Sequence, residues 1–220
     1  LNITGGANTI IGGSIGSALT SAAINVAGDA AATVGAVKVN VYGVSGAVPA
    51  TGNYALLQAA GGGSTLSSGF YSLNQVYNNT NFTVGALTPT ATDLSISVTS
   101  QTPLPTAYWR GELSGATQVM SVSDGGSSSN WRSTSGGAAQ ALIPGAGTDV
   151  LFDGVSYATS SNGVTLGADM SIKSLTLTSP TNNGSDNLTI NADGYKLTLG
   201  SGGINLGTSP GQVLNKAITI

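Results

Sequence analysis

Apolar and polar residues alternate one for one along most of this chain, and the alternation breaks where glycines gather. "AVKVNVYGV" (36–44) sets Val37, Val39 and Val41 on one face and Lys38, Asn40 and Tyr42 on the other. "TDLSISVTS" (92–100) turns Leu94, Ile96 and Val98 inward in the same way. Near the C-terminal end, Leu188 and Ile190, then Leu197 and Leu199, then Ile204 and Leu206 repeat the pattern. A two-residue period is that of a half-buried strand. In "SIKSLTLTS" (171–179) the phase slips at Lys173-Ser174, which predicts a bulge or corner. The best helical candidate, "GSALTSAAINVAG" (16–28), is weakened by Ser, Thr, Asn and its flanking glycines and reads as a turn plus a strand. Gly-Gly-Gly (61–63), Asp-Gly-Gly (124–126), Gly-Gly (136–137), Asn-Asn-Gly (182–184) and Gly-Gly (202–203) mark corners where positive φ costs little.

The fold class is therefore all-β. Short strands at short spacing suit two architectures: antiparallel β-sandwich modules, or a parallel β-helix (β-solenoid) in which tight corners join the strands of each coil. The solenoid is the primary expectation, because its inner row is narrow and built from small aliphatics. It predicts parallel pairing between successive coils, with Leu175, Leu177, Leu188, Ile190, Leu197, Leu199, Ile204 and Leu206 in one interior stack. Pro103 and Pro105 separate a completed strand from an aromatic cluster. They divide the chain into a β-rich segment with hairpins and solenoid-like strands (1–105) and a solenoid repeat unit (106–220).

Composition then narrows the chemistry. Only 7% of the 220 residues are charged and the net charge is −3, so Ser, Thr, Asn and Gly supply the polar surface. Six scattered Lys and Arg give no electrostatic footprint for nucleic acid. No apolar run approaches the length of a membrane-spanning helix, and no insertion into a membrane by this segment is expected. The chain has no cysteine and no histidine. That removes thiol nucleophiles, thiolate metal sites, the usual neutral-pH base and every Ser-His-Asp arrangement. No catalytic residue, no cofactor and no metal is expected.

A few residues stand out against this background. Trp109-Arg110 and Trp131-Arg132 pair the chain's two tryptophans with guanidiniums. Flat apolar faces and forked donors suit hydroxylated ligands such as sugars; in the packing alternative the rings plug one solenoid face or cover a loop junction. Asp149 and Asp153 flank a short strand and would stand about 13 Å apart, too far for either glycosidase geometry. Asp153-Gly154 and Asp193-Gly194 read as turns, and Glu112, the only glutamate, as a solvated loop residue.

"YWRG" (108–111), "NWRS" (130–133), "GAGTDVLFDG" (145–154), "TLGADMSIKSLTLTS" (165–179) and "LTINADGYKLTLGSGGINL" (188–206) follow one another in order. Together they resemble autotransporter-associated β-strand repeat proteins, secreted or surface-attached bacterial chains. The resemblance implies a parallel β-helix passenger, extracellular or on the cell surface, with adhesive or structural roles and no catalytic residues. The expected function is a non-enzymatic stalk, adhesin or filament subunit; the alternative is a carbohydrate-binding module or a β-helix polysaccharide-degrading enzyme. Both termini stop in mid-pattern, so Leu1 and Ile3 at one end and Ile218 and Ile220 at the other are the expected assembly ends. Their partners would be copies of the chain or adjoining repeats, with surface glycans as further candidates.

Overall fold

A computed structural model of the chain describes residues 1–6, 9–17, 22–33, 35–68, 70–153, 163–178, 188–207 and 218–219. The fold is all-β and forms two compact units. The first holds Leu1–Tyr77, Phe82–Gln101 and Asp124–Gly126; the second holds Asn78–Asn81, Thr102–Ser123 and Ser127–Ile220.

In the first unit the strands are β1 (Asn2–Thr4), β2 (Ile10–Ile15), β3 (Ile24–Val26), β4 (Ala31–Thr33), β5 (Ala36–Gly43), β6 (Gly52–Ala59), β7 (Phe70–Tyr77), β8 (Phe82–Pro89) and β9 (Asp93–Ser100). β1 pairs with β4, β2 with β5, β5 with β7 and β3 with β6, all parallel. β9 lies between β6 and β8 and is antiparallel to both. The alternation predicted for β5 and β9 holds: Val37, Val39, Val41, Leu94, Ile96 and Val98 are buried with Leu56, Leu57 and Phe82. Of the weak helical stretch, the described part contains β3 and no helix. Gly5 and Gly35 sit where two turns meet backbone to backbone. A Cβ on Gly5 would lie 2.2 Å from the carbonyl carbon of Gly35, so the turns stack only if both positions lack side chains.

The second unit contains β10 (Thr106–Trp109), β11 (Val122–Ser123), β12 (Trp131–Arg132), β13 (Asp149–Phe152), β14 (Met170–Leu177), β15 (Leu188–Thr189), β16 (Leu197–Leu206) and β17 (Ile218–Thr219). β10, β13, β14 and β16 lie side by side in chain order and all run parallel. A second parallel set links Val119 to Thr165, Val164 to Ile190 and Leu188 to Ile218. Most paired partners in both units stand roughly 25 to 35 residues apart along the chain, within the range of stacked structural repeats. Ala107, Val150, Leu175 and Ile204 form one row across the strands, and Phe152, Leu177 and Leu206 another. The register shifts between Ile172 and Ser174, at the predicted phase slip.

The interior stack is shorter than expected. Leu175, Leu177, Leu188 and Ile190 are buried, and Leu197 and Leu199 are half-buried. Ile204 and Leu206 are 49% and 41% exposed. They keep the register of the buried row, and among the described residues β16 is the edge strand of its sheet.

Candidate functional site

The tryptophan pair singled out by the sequence lies in the second unit, where β10 and β12 meet antiparallel with Trp109 opposite Trp131. The parallel neighbour β13 brings Phe152 alongside. The ring centroids of Trp109 and Trp131 are 4.9 Å apart in an edge-to-face arrangement, and Phe152 stacks on Trp109 at 5.5 Å. Such geometry adds to the area that the rings bury. Trp109 is 2% exposed and Trp131 is fully buried, with its Nε1 donating to the Met120 carbonyl at 2.8 Å. Neither ring offers a face to a ligand. The packing alternative describes them, because a chain with 5% aromatic residues fills its core with the largest it has.

The two arginines diverge. Arg110 is 4% exposed; its guanidinium donates to Asp153 at 2.8 Å and to the Trp109 carbonyl at 3.0 Å. Ser135 Oγ donates to the same carboxylate. Asp153 is therefore a buried ionic anchor as well as the residue before a glycine. The Asp-Gly pattern hid it, and the turn expected at Asp153-Gly154 runs into residues outside those described. Arg132 lies nearer the surface and pairs with Glu112, whose side chain is 53% exposed. Neither arginine is free to fork around a ligand.

Asn130 carries more than the sequence suggested. Fully buried, it accepts from the Leu113 amide at 2.7 Å and donates to the Ala116 and Val119 carbonyls at 2.7 and 2.8 Å. Its own carbonyl accepts from Arg110 N–H at 2.9 Å. One amide thus satisfies the irregular chain between Arg110 and Val119. Its place before Trp131 was the only visible signal.

The remaining acids are dispersed. Asp149 accepts from Lys173 Nζ at 2.7 Å and Ser174 Oγ at 2.6 Å, and these bonds hold its carboxyl below the ordinary range. Asp193 accepts from the Gly167 amide at 2.7 Å and turns the chain into Gly194. Asp124 closes its own turn onto the Gly126 amide at 2.9 Å. Among the described residues no three potential metal ligands converge.

The expected assembly ends are also unlike one another. Leu1 is 53% exposed and its ammonium donates to the Asp29 carbonyl at 3.0 Å. Ile3 is buried in the first core, so its side chain is not an exposed end, a correction to the expectation. The cause is β4, which pairs with β1 and places Ala32 opposite Ile3. Ile218 pairs through its backbone with Leu188; Ile220 lies outside the described residues.

The chain matches no protein-family model, no curated protein and no solved structure.

Proposed function

We propose that this chain is a non-enzymatic structural module of an extracellular or cell-surface protein, a β-solenoid segment that stacks end to end. One observation carries the reading: β10, β13, β14 and β16 repeat in parallel register, and the last displays Ile204 and Leu206 in line with buried Leu175 and Leu177. Among the described residues β16 is an edge strand with aligned apolar side chains, and such an edge is a template for another strand of the same kind. The absence of His and Cys and the dispersal of the acids into structural pairs favour this role over hydrolysis. The resemblance to autotransporter-associated repeats points the same way.

The test replaces Ile204 and Leu206 together by Lys. Both side chains are exposed, so the variant folds, with a wild-type circular dichroism spectrum. Wild-type protein is expected to form concentration-dependent linear assemblies, visible by sedimentation and electron microscopy, and the double variant to lose them. A wild-type chain that stays monomeric at high concentration defeats the proposal.

A further inference from the structure

The outer face of β2, β5 and β7 in the first unit lies outside the core and in a different sheet from β16. Two short motifs recur there, Asn40-Val41-Tyr42 on β5 and Gln75-Val76-Tyr77 on β7. The register sets Asn40 beside Gln75 and Tyr42 beside Tyr77. The middle valines are buried, so each amide and phenol points outward. The two tyrosine rings stack with centroids 5.0 Å apart and planes within 7°. Each phenol meets the amide two residues before it: Asn40 Nδ2 donates toward Tyr42 Oη at 3.4 Å, and Tyr77 Oη donates to Gln75 Oε1. Asn74 extends the row by donating to Asn40 Oδ1 at 2.8 Å.

On the far side of β5, β2 continues the outer face with Ile10, Gly12 and Ser14. Position 12, opposite Asn40, is glycine, and a Cβ there would approach Tyr42 Cε2 to 3.2 Å. The ring of Tyr42 thus leans over Gly12, with Ser14 opposite it in register, and Tyr42 remains 38% exposed. The three strands contain no Asp or Glu, while Lys38 stands two residues from Asn40 on the same face and forms no ion pair among the described residues.

From this geometry we propose that the outer face of β2, β5 and β7 binds an acidic polysaccharide, with a sugar ring lying on Tyr42 over Gly12 and its carboxylate toward Lys38. An aromatic face suits the apolar side of a pyranose, and amides and phenols exchange hydrogen bonds with its hydroxyls. The unopposed ammonium supplies the charge complementarity. The site is independent of end-to-end stacking and is read on the monomer.

The experiment is native electrophoresis in gels containing polygalacturonate or, separately, neutral dextran. Wild-type protein is expected to be retarded by polygalacturonate despite its own net negative charge, and less by dextran. Tyr42→Ala weakens the apparent affinity by about fivefold to tenfold, and Tyr42→Phe retains most of it. Gly12→Val, whose side chain would crowd the Tyr42 ring and cover its outer face, weakens it without removing any polar group. Lys38→Gln removes the preference for polygalacturonate and its salt dependence. Circular dichroism confirms that each variant is folded. Three outcomes overturn the proposal: no retardation of wild type by polygalacturonate, equal retardation by dextran, or unchanged binding by folded Tyr42→Ala and Gly12→Val. A fall in sedimentation coefficient with Tyr42→Ala overturns it too, since the face would then be packing against a second copy.

Discussion

At the scale of single residues, the buried polar groups among the described residues include both paired and unpaired cases. Arg110 and Asp153 are both buried beside the tryptophan cluster, with side chains 3% and 11% exposed. Removing the guanidinium leaves a carboxylate desolvated without its counter-charge, which costs about 3–5 kcal/mol, whereas replacing both partners by apolar residues costs much less. Arg110→Ala is therefore expected to lower the urea midpoint sharply, and Arg110→Met with Asp153→Leu to recover a large part of the loss. Equal destabilisation by the single and double variants would show the pair to be incidental. Tyr71 is the opposite case. Its hydroxyl is buried and meets no hydrogen-bond partner among the described residues, and burial raises its pKa above the ordinary 10.0. A raised folded-state value means stability that is intact below pH 10.0 and lost as pH rises through the folded pKa. Tyr71→Phe removes both the stranded hydroxyl and the titration. It should leave stability at pH 7 unchanged or higher by up to about 1 kcal/mol, and should flatten the alkaline limb of the unfolding profile. A drop in stability at pH 7 would contradict this account.

At the scale of elements, the strands were legible because the two-residue period is local. Val37, Val39 and Val41 announce the buried face of β5 without reference to any other strand, and the slip at Lys173-Ser174 announces a register shift. Pairing was less visible, because strand direction depends on which distant segment lies alongside. The antiparallel placement of β9 between β6 and β8 is not written in its alternation, which a parallel strand would share. The candidate sites show the same limit more severely. Trp109 and Trp131 were conspicuous by rarity, but rarity does not separate a ligand platform from a core plug; only the meeting of β10, β12 and β13 around them does. Asp153 looked like a turn residue because its partner stands 43 positions away. The amide-Val-Tyr pairs at 40–42 and 75–77 escaped notice because they gain meaning only when the register sets one beside the other.

At the scale of the whole molecule, the decisive question is whether the exposed row on β16 joins an unlike surface or its own copy. Among the described residues the row ends a parallel series, and parallel addition places the next strand in the same direction, so in the proposed assembly the partner surface belongs to a different part of the neighbouring molecule. A contact between unlike surfaces is heterologous, and where the rotation between subunits does not close a ring, as the proposed stacking requires, growth continues as a fibre. This has a kinetic signature. A subunit carrying Ile204→Lys and Leu206→Lys keeps its other end intact, docks onto the Ile204 face of a wild-type fibre and then presents two ammonium groups where the next subunit must bury apolar surface. Adding that variant to wild-type protein at well below equal amounts should therefore shorten the fibres out of proportion to its share, as measured by electron microscopy of mixed samples. If the row instead met its own copy about a two-fold axis, the assembly would stop at a dimer. The variant would then only dilute wild-type pairs, in simple proportion to its concentration. A proportional response, with no shortening beyond dilution, would refute head-to-tail growth even if the Ile204 face proves to be an interface.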